Sequence, residues 1–146
     1  MIRDYVDLER IRYGKGFNVS LHIQGNAANK MISPLLLVPF VENSFKHGTS
    51  QMLAHPWINL NIVVEEHHLK FDLANSKPTS TVDNTIAKGL GLRNVKKRLA
   101  ILYPGNHSLI IGEDVMSFNV SMRVPISQRA EKSEELMNET ATYELV

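Results

Sequence analysis

Apolar and polar residues alternate with a two-residue period at four places in the chain. Residues 18–24 alternate strictly, with Val19, Leu21 and Ile23 on one side, which predicts a strand with one wet face. Ile58, Leu60 and Ile62 begin a second strand that runs to Val64, and Leu69, Phe71 and Leu73 line a third. With 65–68 as the turn, these two predict a hairpin. Leu109 and Ile111 mark a short strand, Glu113 and Asp114 a turn, and Phe118, Val120, Met122 and Val124 a longer strand ending at Pro125.

Between these stretches the period changes to that of a helix. In 4–13, Tyr5, Leu8 and Arg12 form one row and Val6, Arg10 and Tyr13 another, so this helix is expected to pack along two sides until Gly14 and Gly16 break it. A helix so short is marginal alone; residues 1–14 read as the stub of a longer element. Leu92, Val95, Leu99 and Leu102 make another stripe, closed by Pro104 and Gly105. Residues 15–127 are expected to form one domain. From 128 to 146 the pattern stops and acidic residues are in excess, which predicts a loosely held tail or a lone helix.

The stretch that breaks the pattern most usefully is 34–48, PLLLVPFVENSFKHG. Ser33 can cap a helix there and Pro34 fits its first position. Pro39 should kink or restart it. Leu37, Val41 and Phe45, at i, i+4 and i+8, face the core. Glu42, Asn43, Lys46 and His47 fall within one polar arc of about 140° on the other side. A carboxylate, an amide, an ammonium and an imidazole on one face of an otherwise apolar helix describe a site. Glu42 and Lys46 alone are an ordinary i, i+4 pair, and His47-Gly48 an ordinary helix end; a second element decides the matter.

That element is GLGLRNVKKRL, residues 89–99, following the polar and unpatterned 75–88. Glycines at 89 and 91 let a backbone approach a ligand, and a helix they open presents free N–H groups at its positive end. The two elements together outline a nucleotide pocket. Asn43 can give an oxygen to Mg²⁺, which keeps most of its waters, and Glu42 is placed to polarise an attacking group. Lys46 and His47 would meet phosphate oxygens from one side and the glycine-opened helix from the other. Phosphoryl transfer asks for such positioning and charge neutralisation.

Composition narrows the field. The 146 residues are 43% hydrophobic, enough for one domain with a real core. A net charge of +1 makes no case for nucleic acid as partner. With no cysteine, neither a disulfide framework nor a thiolate metal site is possible. The first ten residues are too charged for a signal peptide, and no apolar run approaches the ~20 residues a membrane span requires. The expectation is a cytoplasmic domain. His67 and His68 are neighbours at a hairpin tip and so point apart, which argues against a metal pair.

Residues 34–48 resemble the N box of sensor histidine kinases in the form used by the LytS-type group, and 89–99 with Tyr103 resemble that group's glycine box and the helix after it. Residues 5–13 are similar to the end of the second helix of the family's dimerisation hairpin. The resemblance spans about 4–126. It implies a GHKL (Bergerat) ATP-binding fold: an α/β (α+β) two-layer sandwich, with helices on one face of a mixed, mostly antiparallel sheet and a mobile lid at 76–88. It implies catalytic roles for Glu42 and Asn43, Mg²⁺ at Asn43, and ATP binding by Asn43, Lys46, His47, Asn75, Lys77, Gly89, Leu90, Gly91 and Leu92.

The implied partners are ATP, the family's dimerisation and phosphoacceptor domain, and a response regulator, within a homodimeric, membrane-anchored protein. Two departures stand out. The family's acidic box, Asp-x-Gly-x-Gly, is replaced by LANSKP at 73–78, with Asn75 at or near the adenine-binding Asp. No histidine sits in a phosphoacceptor context, so the chain should not phosphorylate itself. The rival expectation is a degenerate nucleotide-sensing or protein-interaction module without kinase activity.

Overall fold

A computed structural model describes residues 1–33, 35–48, 54–78, 85–128 and 143–144, with side chains at 85–90 and 143–144 left aside. Helix α1 (Ile2–Tyr13) leads into strand β1 (Asn18–Gly25), short strand β2 (Lys30–Ile32) and helix α2 (Val38–Gly48). Strands β3 (Trp57–Val64) and β4 (His68–Ser76) follow, then helix α3 (Thr85–Leu102) and strands β5 (Ser108–Glu113) and β6 (Ser117–Pro125). Two-residue strands β7 (Ser127–Gln128) and β8 (Tyr143–Glu144) complete the order.

The main sheet runs β1-β3-β4-β6-β5. Its β1–β3 pair is parallel and the other three are antiparallel, so the sheet is mixed and mostly antiparallel, as expected. The two-residue periods explain why: Ile58, Leu60, Ile62 and Val64 of β3, Leu69, Phe71 and Leu73 of β4, and Val120, Met122 and Val124 of β6 are all buried on one face. Each such side chain contributes about 1.5–3 kcal/mol when fully buried. Helix α2 lies over β3 and β4, with α1 and α3 packed against it. The opposite face carries small polar residues, among them Asn59, Asn61, Asp72 and Ser121, lining an open trough of about 550 Å³.

Three local expectations are corrected. Helix α2 does not begin at Ser33: the Phe40 and Val41 N–H groups donate to the Leu37 carbonyl at 3.1 and 3.3 Å, so Leu37 caps a helix that starts at Val38. Pro39 therefore sits in the first turn, where its missing N–H costs nothing, and Leu35 turns the chain with φ of 59°. Helix α1 buries a single row, Ile2, Val6 and Glu9, while Leu8 and Ile11 are 61% and 81% exposed. Tyr13 joins that row by stacking on Phe45 at 5.7 Å, with Phe17 against the same ring at 5.4 Å.

Helix α3 begins at Thr85, not at Gly89. Thr85, Ile86, Ala87 and Lys88 contain no breaker, and a glycine costs a helix about 1 kcal/mol without stopping it. Both glycines thus lie inside the helix, and 85–88 belongs to α3 rather than to a loop. The remainder of the expected lid, 79–84, falls outside the described residues, as does the Pro34 position.

The chain beyond β6 also contributes structure. Lys30 and Met31 pair with Gln128 and Ser127 on one side of β2, and Met31 and Ile32 pair with Glu144 and Tyr143 on the other. Short β2 has no sequence signal of its own, because three residues are too few for a period to show.

Candidate functional site

Helix α2 divides as its periodicity requires. Leu37 caps α2 and, with Val41 and Phe45 inside it, fills the core; Ser44, buried beside them, satisfies its hydroxyl by donating to the Phe40 carbonyl at 3.0 Å. On the other side, the Lys46 ammonium lies 2.7 Å from Glu42. That hydrogen bond, together with the charge of Glu42, holds the Lys46 ammonium above its ordinary pKa. Lys46 is 64% exposed, so the pair is screened by water and adds little to stability.

Helix α1 supplies neighbours that the sequence did not announce. Burial, then the charge of the Glu9 and Glu42 carboxylates, push the Tyr5 phenol above its usual range, and α1 packs against α2. Arg12 lies 3.6 Å from Glu9, so the one carboxylate buried on α1 has a counter-charge. Asn43 and His47, about 100° further round α2 than Glu42 and Lys46, are both half-buried. Of the four expected residues, the structure joins the Glu42 carboxylate to the Lys46 ammonium and sets Asn43 and His47 half-buried further round the same helix.

On the face of the sheet that the helices cover, the inward row of β4 ends in Asn75. It is buried, and its register sets it between Ile58 of β3 and Phe118 of β6. Its Nδ2 donates to the Ser76 carbonyl at 2.9 Å. Its Oδ1 is enclosed and, among the described residues, has no hydrogen-bond partner. An unpaired buried acceptor costs about 1–3 kcal/mol, a cost that the apolar residues of the same row do not carry. The row could have been read from the sequence, since Asn75 continues the two-residue period of Leu69, Phe71 and Leu73.

Ser76 itself is clamped to the neighbouring strand. Its Oγ accepts from the Trp57 N–H at 2.9 Å and donates to the Trp57 carbonyl at 3.3 Å. No sequence signal pointed to this serine.

Lys77 leaves the end of β4 with its ammonium 2.6 Å from Glu113 and its N–H donating to the Met116 carbonyl at 3.0 Å. It stands at the same end of the sheet as Asn75. Leu92 is half-buried against the core, and Gly91 is exposed with open space where a Cβ would stand. The side-chain surroundings of Gly89 and Leu90 lie outside the described residues. In α3, Arg98 donates to the Leu35 carbonyl at 3.4 Å and ties this helix to the approach to α2. The Tyr103 hydroxyl accepts from the Ser33 N–H at 3.4 Å, and burial raises its pKa.

The residues are of kinds that suit a purine nucleotide. Asn75 on β4 offers an enclosed amide oxygen with no partner among the described residues, and α2 carries a second amide, an ammonium and an imidazole. Among the described residues no cluster of three histidine, cysteine or acidic side chains could hold a metal by protein ligands alone. Mg²⁺ with one amide, its waters and phosphate oxygens needs none.

No protein-family model matches the chain. Relatives over most of its length are sensor histidine kinases. It is 27% identical over 126 residues to the sensor histidine kinase BtsS of Escherichia coli K12, covering 85% of this chain and 22% of the relative. To the sensor protein LytS of Staphylococcus epidermidis it is 26% identical over 139 residues, covering 88% and 24%. The chain thus spans about a quarter or less of these relatives.

In fold it matches histidine kinase catalytic domains. The catalytic domain of ThkA superposes with a TM-score of 0.56 at 12% identity, over 83% of this chain and 86% of that one. The blue-light activated histidine kinase of Erythrobacter litoralis gives 0.60 at 15% identity, over 85% and 40%. Among the described residues no helix is long and apolar enough to cross a membrane.

Proposed function

From relatives that are sensor histidine kinases and a fold that is that of their catalytic domains, we propose that this chain is the ATP-binding catalytic domain of a two-component sensor histidine kinase. In this reading it passes the γ-phosphoryl group of Mg·ATP to a histidine on a dimerisation domain outside the sequence. A response regulator receives the group next. The full-length protein is a membrane-anchored homodimer with this domain on the cytoplasmic side, and helix α1 is the end of its dimerisation hairpin. The observation that carries the reading is the enclosed Oδ1 of Asn75 at the end of the β4 row, which has no hydrogen-bond partner among the described residues.

When bound, Mg·ATP supplies the transferable group and the charge that balances its oxygens. The chain's own residues orient it. Asn75 accepts from the base, and the Asn43 side-chain oxygen faces the cation. Lys46 and His47 meet phosphate oxygens from α2, while Gly89, Leu90, Gly91 and Leu92 border them from α3 and Lys77 from the sheet end. Lys46 exchanges Glu42 for phosphate, two anions of similar reach. Glu42, released, is then free to polarise the attacking imidazole of the acceptor. Each role is positioning or electrostatics, which is what phosphoryl transfer needs from a protein.

The test is a calorimetric titration of ATP with Mg²⁺ into this chain, followed by transfer to a separately supplied acceptor hairpin. Micromolar-to-millimolar binding, with transfer abolished by Asn43→Ala, is expected. Transfer that survives Asn43→Ala overturns the role of Asn43. Binding without any transfer favours the rival reading of a nucleotide-sensing module.

A further inference from the structure

The last described stretch of the chain, β8, does not trail away from the domain. It returns to the small sheet, where Tyr143 pairs with Ile32 and Glu144 with Met31 of β2. There it is an edge strand, and its one neighbour among the described residues is β2. Strand β7, on the other side of β2, is fixed differently. It follows closely on β6, and the Ile126 N–H just before it donates to the His67 carbonyl at 3.0 Å. No such tie to the main sheet holds β8 among the described residues.

What β8 rests on leads straight into α2. Ile32, at the end of β2, is buried in the core, and Leu37 already caps the helix. Between them the chain is held from α3 by two long bonds: the Tyr103 hydroxyl accepts from the Ser33 N–H and Arg98 donates to the Leu35 carbonyl, each at 3.4 Å. Leu35 is 56% exposed and has a positive φ, a conformation that leucine rarely adopts. So β2 is the firm point from which α2 is entered, and β8 supplies half of its strand pairing.

The grip of β8 is light by construction. Of two neighbouring pairs in an antiparallel ladder, one exchanges both its N–H···O bonds and the other exchanges none. Against those bonds stands the entropy of ordering the segment and of bringing it back to β2. A contact so nearly balanced opens locally while the core stays closed.

We propose that β8 is a detachable strap, a regulatory device built into the fold. Docked on β2, it steadies the entry to the helix that bears Glu42, Asn43, Lys46 and His47; released, it lets the first turn of that helix loosen. Whatever captures residues 143–144 then acts on this polar face without touching it. Resting on the nucleotide reading above, docking of β8 and binding of Mg·ATP favour each other, because coupling between two sites is reciprocal.

The experiment is amide hydrogen exchange, read by NMR, on the 146-residue chain and on Tyr143→Pro/Glu144→Pro, which removes both backbone N–H groups of β8. Circular dichroism first establishes that the variant is folded. The Phe40 and Val41 amides, which donate to the Leu37 carbonyl, report on the entry to α2; those of Leu60 and Phe71 report on the main sheet. In the variant, exchange at Phe40 and Val41 is expected to rise about fivefold or more, with Leu60 and Phe71 unchanged. Unchanged exchange at Phe40 and Val41 overturns the strap. A rise shared equally by Leu60 and Phe71 overturns it too, because β8 would then serve general stability. Calorimetric titration of both proteins with Mg·ATP supplies the second readout, and the variant is expected to bind about threefold more weakly. Equal affinity overturns the coupling of β8 to the polar face. If neither protein binds Mg·ATP, the nucleotide reading falls, and exchange at Phe40 and Val41 still decides the strap.

Discussion

Leu69, Phe71, Leu73 and Asn75 stand in one row on the inner side of β4, with exposures of 0, 0, 2 and 1%. By burial alone they are equivalent. The first three are satisfied by what the chain provides: the Phe71 ring, for example, lies 5.8 Å from that of Phe40 on α2. The fourth keeps, at the same depth, an acceptor that no donor among the described residues reaches. One end of the strand is built for the protein's own stability and the other is left incomplete at a cost. That difference, more than any pocket shape, separates scaffold from site here.

The sharpest way to break the comparison is at its apolar end. Phe71→Ala empties a fully buried ring position under α2 and is expected to destabilise the domain by about 3–5 kcal/mol. The measurement is urea denaturation followed by circular dichroism. A loss below about 1 kcal/mol would mean that this end of the row is not the packed core it is taken to be.

At the polar end the expectation reverses. Asn75→Leu removes the unpaired acceptor, which relieves about 1–3 kcal/mol, and also the bond to Ser76, which forfeits about 0.5–1.5 kcal/mol. Both side chains carry four heavy atoms, and the greater bulk of Leu offsets part of the relief, so the net change in stability should stay within about 2 kcal/mol, while nucleotide binding is lost. Denaturation and titration of the same preparation give both numbers. A variant that is strongly destabilised, or that binds ATP unchanged, would place Asn75 with the scaffold instead.

Much of this arrangement was legible before any coordinates. The inward rows of β3, β4 and β6 follow from a strict period of two, and the buried stripe of α2 from Leu37, Val41 and Phe45. The polar arc of Glu42, Asn43, Lys46 and His47 needed only the helical repeat. Helix starts were harder, because they depend on local competition. Pro39 could interrupt a helix or begin one, and the Leu37 cap settles it; Gly89 and Gly91 could open a helix or be carried inside one that Thr85 begins. Least legible were relations between elements: Tyr13 stacked on Phe45, the clamp of Ser76 on Trp57, and β2 gathering strands from two later stretches. Such contacts join residues distant in sequence and leave no period behind.

The smallest expected effect lies just past the polar end of the row, at the turn between β5 and β6. Asp114 accepts from the Met116 and Ser117 N–H groups at 2.8 and 2.7 Å and from the Ser117 hydroxyl at 2.8 Å. Ser117 pairs with Ser76, the residue whose carbonyl orients Asn75, so this turn braces the site from outside. The bonds from Ser117, then that from Met116, hold the Asp114 carboxyl below its ordinary pKa of 3.8. A depressed carboxyl contributes stability above its unfolded pKa, and that contribution fades as pH falls through the lower folded value. The urea midpoint of the unaltered chain should therefore exceed that of Asp114→Ala from neutral pH down to near 3.8, with the gap closing below it. A gap that stays constant down to about pH 2 would show that the aspartate holds the turn by shape rather than by charge, and that the brace on Ser76 does not depend on its ionisation.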